Sequence, residues 1–525
     1  MKFGFTSIYS WRPHVEQMYY LSRLAEQGGH EVRFLTCDSD LPTCYTRQMR
    51  KHRPSLVECT ACRLGGIRTF TSENIDALHD YAGLGQPVLP NASAGIWSSA
   101  STLGRFESPA DFESPEYFET AERFRPATEK AYDAAKAWIK GQRLDAVFMF
   151  NGRLDVLRAV AEAAKDCRIP YVSMERTWLG HGLQLLPNEN CLGLKTIDKM
   201  IAEWSDKPLL HDQAMIAAHH IAARFNRSNS NEWRAYNVNA QTNPWPVLGG
   251  KHRILLLPSS RSEIWGQADW NSEWSEPTAA YDALIEHLKL SPQDMVMRCH
   301  PVWAQNIGPT NGKRSEAYYS DWAKRHGVTC IPSKDPTSTL GLIEASDVVV
   351  VYGGTAAMDA GALGKQVISL CPSWYQKAGF QSTLYSLADL AELKLHKDMQ
   401  PTARERLQNH IRQQVLRYVY AMNYRVMQFT QHVRCIKPTE YQYFDGADPA
   451  RLTRMVVPGE IEADDKRYAS DTSEEAQAIR ALEAKDWESL SSPPPQHLHK
   501  KLPIQRRAIY GMVDYTRAKL RRGDL

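Results

Sequence analysis

Apolar residues fall in two alternating patterns, short continuous runs and stretches spaced three and four apart, and each pattern names an element. Residues 2–6 form a continuous run, 15–27 carry apolar positions at helical spacing, and 29–35 close with a second run, so the chain opens as a βαβ unit. The alternation returns as a helix over 134–140, a strand over 145–150, a helix over 157–165 and a strand over 169–173. It predicts a mainly parallel, doubly wound sheet. Residues 72–114 are rich in Ser, Gly and Pro and read as long surface loops around short helices.

Residues 211–238 read as helical and polar, and 239–250, with Pro244, Pro246 and Gly249-Gly250, as a linker. The pattern then restarts with strands at 253–257, 294–298 and 328–331 and helices at 278–289 and 318–326. Residues 346–368 supply a strand of four valines, Val348 to Val351, a turn at Gly353-Gly354-Thr355, a helix and another strand. A long helix is expected over 403–433 and an acidic one over 473–488. The expected fold class is α/β, with two Rossmann-like doubly wound domains facing a cleft. The divisions are 1–245 for the first domain, 246–390 for the second, 391–437 for a helix crossing back, and 438–525 for a loop-rich tail.

A length of 525 residues exceeds one core and fits that division. With 43% hydrophobic and 23% charged residues the chain has a globular composition. Its net charge of +3 argues against a nucleic-acid partner. No apolar window approaches the ~18 residues of a membrane span, and the opening Met-Lys-Phe-Gly-Phe-Thr-Ser lacks the features of a signal peptide. A cytoplasmic location is expected. After a break at 491–495, residues 500–525 interleave Lys500, Lys501, Arg506, Arg507, Arg517, Lys519, Arg521 and Arg522 with apolar residues. This fits either a basic amphipathic helix on the anionic inner face of a membrane or a helix docked on its own domain.

Ten cysteines in such a compartment do not imply a disulfide framework. Cys37, Cys44, Cys59 and Cys62 cluster early and end in a Cys-x-x-Cys knuckle. That spacing is compatible with a structural zinc or an iron-sulfur cluster, and also with four small buried hydrophobes.

Three motifs end apolar runs in the second half, Pro258-Ser259-Ser260-Arg261, Arg298-Cys299-His300-Pro301 and Gly353-Gly354-Thr355. Strand C-termini at a sheet crevice are where ligands bind in such folds. His300, Arg298 and Arg261 suit phosphate oxygens, Ser259, Ser260 and Thr355 add hydroxyls, and a helix starting near Thr355 would bring its dipole. In the first half, Asn151-Gly152-Arg153 and Glu175-Arg176 follow strands. Glu175 is the candidate acid or base, with His181 as competitor and Asn151, Arg153 and Arg176 as acceptor-positioning groups. Asp269, in the aromatic loop Trp265 to Trp270, is a candidate nucleophile for a double displacement.

In order and spacing, these motifs, with His14-Val-Glu-Gln-Met and Gly29-His30-Glu31-Val32, resemble the GT-B glycosyltransferases over residues 1–435. They are most similar to bacterial capsule polysaccharide transferases and the related teichoic-acid glycerophosphotransferases. The resemblance implies transfer of a sugar from a nucleotide-activated donor to a surface polysaccharide or lipid-linked glycan. Many such enzymes place Glu in the helix after the glycine turn to accept from the ribose, where this chain has Asp359, one methylene shorter. A CMP-activated acid sugar such as Kdo and a nucleoside diphosphate sugar both fit. No Asp-x-Asp lies among the donor motifs of the second half, and no catalytic metal or other cofactor is expected. The rival readings are a sugar-nucleotide epimerase of the same fold and a non-catalytic scaffold binding glycan or partner enzymes.

Overall fold

The structure, a computed structural model, describes residues 1–50, 54–83, 93–177, 179–229, 239–306, 310–492 and 499–512. Six strands form the first sheet, β1 (Lys2–Ser7), β2 (Glu31–Thr36), β3 (Ile75–Ala77), β4 (Ala146–Phe150), β5 (Tyr171–Arg176) and β6 (Leu183–Pro187), in the order β3-β2-β1-β4-β5-β6. All neighbours are parallel except β5 and β6. The second sheet holds β7 (Ile254–Leu257), β8 (Met295–Arg298), β9 (Thr329–Ile331), β10 (Val348–Val351), β11 (Gln366–Ser369) and β12 (Gln381–Thr383), ordered β12-β11-β10-β7-β8-β9 and parallel throughout. Both follow the doubly wound order 3-2-1-4-5-6, so each presents a crevice where its strand order reverses, beside β1 in the first and β7 in the second.

The four valines explain why β10 sits centrally. Each is at most 1% exposed between β7 and β11. Burial of each such side chain contributes about 1.5–3 kcal/mol, and a strand covered on both faces needs apolar residues at every position.

The helix Pro401–Ala421 crosses between the domains. Its Val415 and Ile411 pack against Gly361 of the second, and Arg417 donates to the Ser205 carbonyl of the first at 3.0 Å. It ends well before residue 433. A π-helical turn over Met422–Val426 and a positive φ at Phe429 turn the chain into β13 (Val433–Lys437), which pairs with β14 (Glu440–Phe444) and through it with β15 (Lys501–Leu502). The acidic segment is shorter than expected, a 3-10 turn Thr472–Glu475 and a helix Ala476–Ala484 closed by left-handed Lys485.

Residues 93–104 are corrected more substantially, because they form a helix in the core and not a surface loop. Ile96 and Ala100 are buried, as are Ser98, Ser99 and Ser101, whose hydroxyls bond to Arg153, the Asp155 N–H and the Ser262 carbonyl. Residues 84–92, 230–238, 493–498 and the tail beyond 512 lie outside the described residues, and with them Arg517, Lys519, Arg521 and Arg522. Of the basic segment before it, Arg506 bonds to the Thr69 hydroxyl, and Arg507 to the carbonyls of Thr69 and Arg68. No helix among the described residues is long and apolar enough to cross a membrane.

Candidate functional site

At the end of β4 the chain reverses through two left-handed residues, Asn151 at φ 61° and Gly152 at φ 68°. Asparagine tolerates that conformation better than other side chains. The reversal brings the Asn151 amide to β5, where Nδ2 donates to Glu175 Oε2 at 3.2 Å and Oδ1 accepts from the Arg153 N–H at 3.0 Å. Glu175 Oε1 accepts from the Arg176 N–H at 3.1 Å and lies 3.5 Å from His14 Nε2.

His14 opens the helix after β1 with its ring stacked on Phe150, centroids 4.0 Å apart. Burial holds its pKa below the ordinary range, opposed by the Glu175 charge and reinforced by Arg176, so the ring is neutral at pH 7. Its Nδ1 is buried without a partner. Glu175 is the more exposed of the pair, at 23% against 11%, with His14 behind it. Sequence reasoning found Glu175 and Asn151. It missed the contact of His14 with Glu175, which joins the helix after β1 to β5, because no local spacing reports it.

Two other first-domain candidates have structural duties. Arg153 Nη1 donates to Ser98 Oγ, Thr102 Oγ1 and the Glu263 carbonyl at 2.8, 3.0 and 2.9 Å, so it ties the two domains together and its charge is spent there. His181 Nδ1 accepts from the Cys435 N–H at 3.2 Å, and burial with the Arg434 charge pushes its pKa down to about 4. It is a neutral strut holding β13 against the turn after β5, and not a base beside Glu175. Arg176 donates to the Thr177 carbonyl at 3.2 Å.

In the second domain His300 follows β8 and caps the 3-10 turn Pro301–Ala304, its Nδ1 accepting from the Val302 N–H at 3.1 Å. An amide only donates, so Nδ1 carries the lone pair and the neutral ring keeps its proton on Nε2, the tautomer that donates to an oxygen. Ser260 Oγ accepts from Trp303 Nε1 at 2.7 Å. Gly353, at φ 75°, lies under Trp270, and a Cβ at Gly354 would sit 3.0 Å from Ser259 Oγ, so the β7 and β10 ends adjoin. Thr355 is exposed ahead of a helix of only seven residues, Ala356–Ala362.

The charged donor candidates fare less evenly. Arg261 lies over the stacked rings of Phe112 and Trp265, its backbone N–H donates to Glu107 at 2.9 Å, and its Nη1 is buried without a protein partner. Arg298 is corrected. At 3% exposure it donates to the carbonyls of Cys299, Pro332 and Asp335, tying β8 to the loop after β9. Asp359 is corrected too. It is 2% exposed, and both its oxygens accept from Arg224, at 2.6 and 2.8 Å, across the domain boundary. Neither oxygen is turned to a ribose.

Trp270 joins the two sets. It packs on Gly353 and donates from Nε1 to the Leu192 carbonyl at 2.7 Å, while the neighbouring Cys191 N–H donates to the Asn151 carbonyl at 2.8 Å. Asn190 adds a bond to Gln267 at 2.8 Å. The same seam holds Asp198, which spacing did not single out because it lies within a helix, Lys195–Ser205. Gln376 of the second domain donates to its Oδ2 at 2.6 Å, and Oδ1 is buried without a partner. Burial, with the charges of Glu189 and Asp269, pushes its pKa up to about 6. Asp269 itself is exposed beside this seam.

Cys37, Cys44, Cys59 and Cys62 line one cavity, but among the described residues no three or more His, Cys, Asp or Glu side chains come together to hold a metal. Burial raises the pKa of Cys37, Cys44 and Cys62, which keeps them protonated.

No protein-family model and no curated protein matches the chain. Among solved structures it is similar to the Thermosulfurimonas dismutans KpsC beta Kdo 2,4 transferase at 14% identity, over 57% of this chain and 82% of that one, with a TM-score of 0.33. It is also similar to UDP-GlcNAc 2-epimerase from Neisseria meningitidis (14%, 80% and 98%, TM-score 0.26) and to the glycosyltransferase SnogD from Streptomyces nogalater (12%, 79% and 94%, TM-score 0.23). At these scores none of the likenesses bears on what this chain does. The two doubly wound sheets, joined along this seam, fit the two-domain Rossmann-like fold expected from the sequence.

Proposed function

We propose that the chain is a glycosyltransferase that moves a sugar from a nucleotide-activated donor to a surface polysaccharide or lipid-linked glycan, without a catalytic metal. The observation that carries this is the Trp270 bridge, which adjoins Gly353 at the second crevice and reaches through Leu192, Cys191 and Asn151 to Glu175 at the first. On this reading His300 Nε2 and Arg261 Nη1 meet donor phosphate oxygens, with Ser259 and the backbone of Gly353 to Thr355 beside them. Glu175 takes the proton from the acceptor hydroxyl as it attacks the anomeric carbon, and the nucleotide leaves with the electron pair of the broken bond. His14 and Asn151 fix the carboxylate. For the basic C-terminal segment, the pairing of Lys501–Leu502 with β14 and the bonds of Arg506 and Arg507 to Thr69 and Arg68 support docking on its own domain over membrane attachment, so deleting 500–525 should leave binding to anionic vesicles unchanged.

The test is incubation with CMP-, CDP-, UDP- and GDP-sugars and glycan acceptors in EDTA. Transfer should persist, and His300→Ala should lower the rate by about 10²–10³. Loss of turnover with chelator and recovery with magnesium would sink the metal-independent mechanism. A new isomer formed from donor alone would replace transferase with epimerase, and failure of every nucleotide to bind would leave a scaffold.

A further inference from the structure

A separate cavity of about 50 Å³ lies in the first domain beside the C-terminal ends of β1 and β2, closed on one side by the helix Ser55–Arg63. Ile8, Leu41 and Ile67 supply apolar wall, and the four thiols of Cys37, Cys44, Cys59 and Cys62 complete it. Two hydroxyls on the lining are unusual. Ser7 and Thr46 are 8% and 6% exposed, and neither Ser7 Oγ nor Thr46 Oγ1 has a hydrogen-bond partner in the protein. A buried hydroxyl left unpaired costs roughly 1–3 kcal/mol, and a ligand oxygen in the cavity would give such a hydroxyl a partner.

Of the charges on the lining, Arg63 is exposed to solvent and the others are engaged within the protein. Arg68 donates to Asp38 through Nε and Nη2, Arg47 donates to the carbonyls of Leu41 and Pro42, and Glu58 pairs with Arg50. A charged ligand group would find no buried counter-charge, so the site selects against it. The volume holds about four water-sized groups.

We propose that this cavity binds a small uncharged group of about three to five heavy atoms, mainly apolar and carrying one hydroxyl, ether or carbonyl oxygen. The inference goes beyond the transferase reading, since none of His14, Asn151 and Glu175 lines the cavity, and it holds whether or not a sugar is transferred. The group belongs either to a free small molecule or to the end of a longer chain, and chain length distinguishes them.

The experiment follows the rate at which N-ethylmaleimide labels each cysteine of the full chain, by mass spectrometry, with and without 1-butanol. Cys167 lies outside the cavity and serves as the internal control. 1-Butanol is expected to slow labelling at the four cavity cysteines at least threefold and to leave Cys167 unchanged. The isosteric Thr46→Val should weaken that protection severalfold at unchanged circular dichroism, and Cys62→Leu, which fills the cavity, should abolish it. Protection that persists with 1-hexanol and 1-octanol assigns the site to a chain end, and protection that stops at 1-butanol assigns it to a free small molecule. Equal labelling with and without 1-butanol, equal slowing at Cys167, or undiminished protection in folded Cys62→Leu overturns the proposal. Because no turnover is measured, failure here is distinct from failure of the transferase reading.

Discussion

Glu107 gives the most direct quantitative test of how the two domains are held. It lies in the first domain with its carboxylate wholly buried, and all three of its donors belong to the second. The Arg261 N–H reaches Oε1 at 2.9 Å, Tyr319 OH reaches Oε1 at 3.2 Å, and Ser315 Oγ reaches Oε2 at 2.7 Å. Burial outweighs these bonds and the Arg261 charge, and raises the pKa from the ordinary 4.5 to about 7. A carboxyl whose pKa is raised on folding binds its proton more tightly in the native state. Between about pH 4.5 and 7 the folded chain therefore holds more protons than the unfolded one, and stability falls as pH rises through that window. At about 1.4 kcal/mol per tenfold change in proton affinity, the cost above pH 7 is about 3 kcal/mol.

Glu107→Gln removes the titration while keeping the contacts. The amide oxygen retains the two donors at Oε1, and the NH₂ donates to Ser315 Oγ, whose hydroxyl can turn. Melting temperatures of wild type and variant, measured from pH 5 to 8, should diverge steadily, the variant gaining on the order of 5 °C relative to wild type by pH 8. Subtracting one curve from the other cancels every group the substitution leaves alone. A difference that stays flat across the range, or is largest at pH 5, refutes the reasoning.

Glu175→Gln should lower kcat by about 10²–10⁴ with donor KM unchanged, while His14→Gln, which still donates to Glu175, should cost far less than His14→Ala; equal losses would remove His14 from its supporting place. Asp198 changes charge near pH 6, so a limb of the wild-type rate profile near that pH should vanish in Asp198→Asn, and its survival would clear Asp198 of any part. Asp359→Ala removes both charge-assisted hydrogen bonds that the buried Arg224 guanidinium makes to it and should cost about 3–5 kcal/mol of stability. A variant with unchanged melting temperature and weakened nucleotide binding would return Asp359 to the donor site.

What the sequence disclosed and what it hid separate along a physical line. Alternating apolar runs report burial, and burial repeats with the backbone period, so Val348 to Val351 announced a strand at the middle of a sheet. Glycine turns and strand-end motifs are equally local, and His300 and Glu175 lie at strand ends as their spacing implied. Partner choice is not local. Serine at residues 98, 99 and 101 reads as loop because it is polar, yet here each hydroxyl meets a group from elsewhere in the chain, and the helix is core. The overrun past Ala421 has the same origin, since neither Gly nor Pro marks the π-helical turn that ends the helix.

The same distinction reshapes the donor half of the cleft. Of the charged groups expected there, Asp359 and Arg298 serve the fold, one clamping Arg224 across the domains and the other tying down three carbonyls. The seven-residue helix after Thr355 contributes a short stack of peptide dipoles. What remains to meet a phosphate is His300 in its Nε2-protonated tautomer, Arg261 through Nη1, Ser259, and the backbone over Gly354, where a Cβ would crowd Ser259. On the proposed reading such a set would recognise phosphate oxygens by position, with at most one full positive charge when His300 is neutral. A nucleoside monophosphate-activated sugar carries less charge at that point than a diphosphate one, so it makes the smaller demand on the site. The donor comparison most worth making is therefore CMP-sugar against UDP-sugar, with Arg261→Gln expected to weaken the diphosphate donor more.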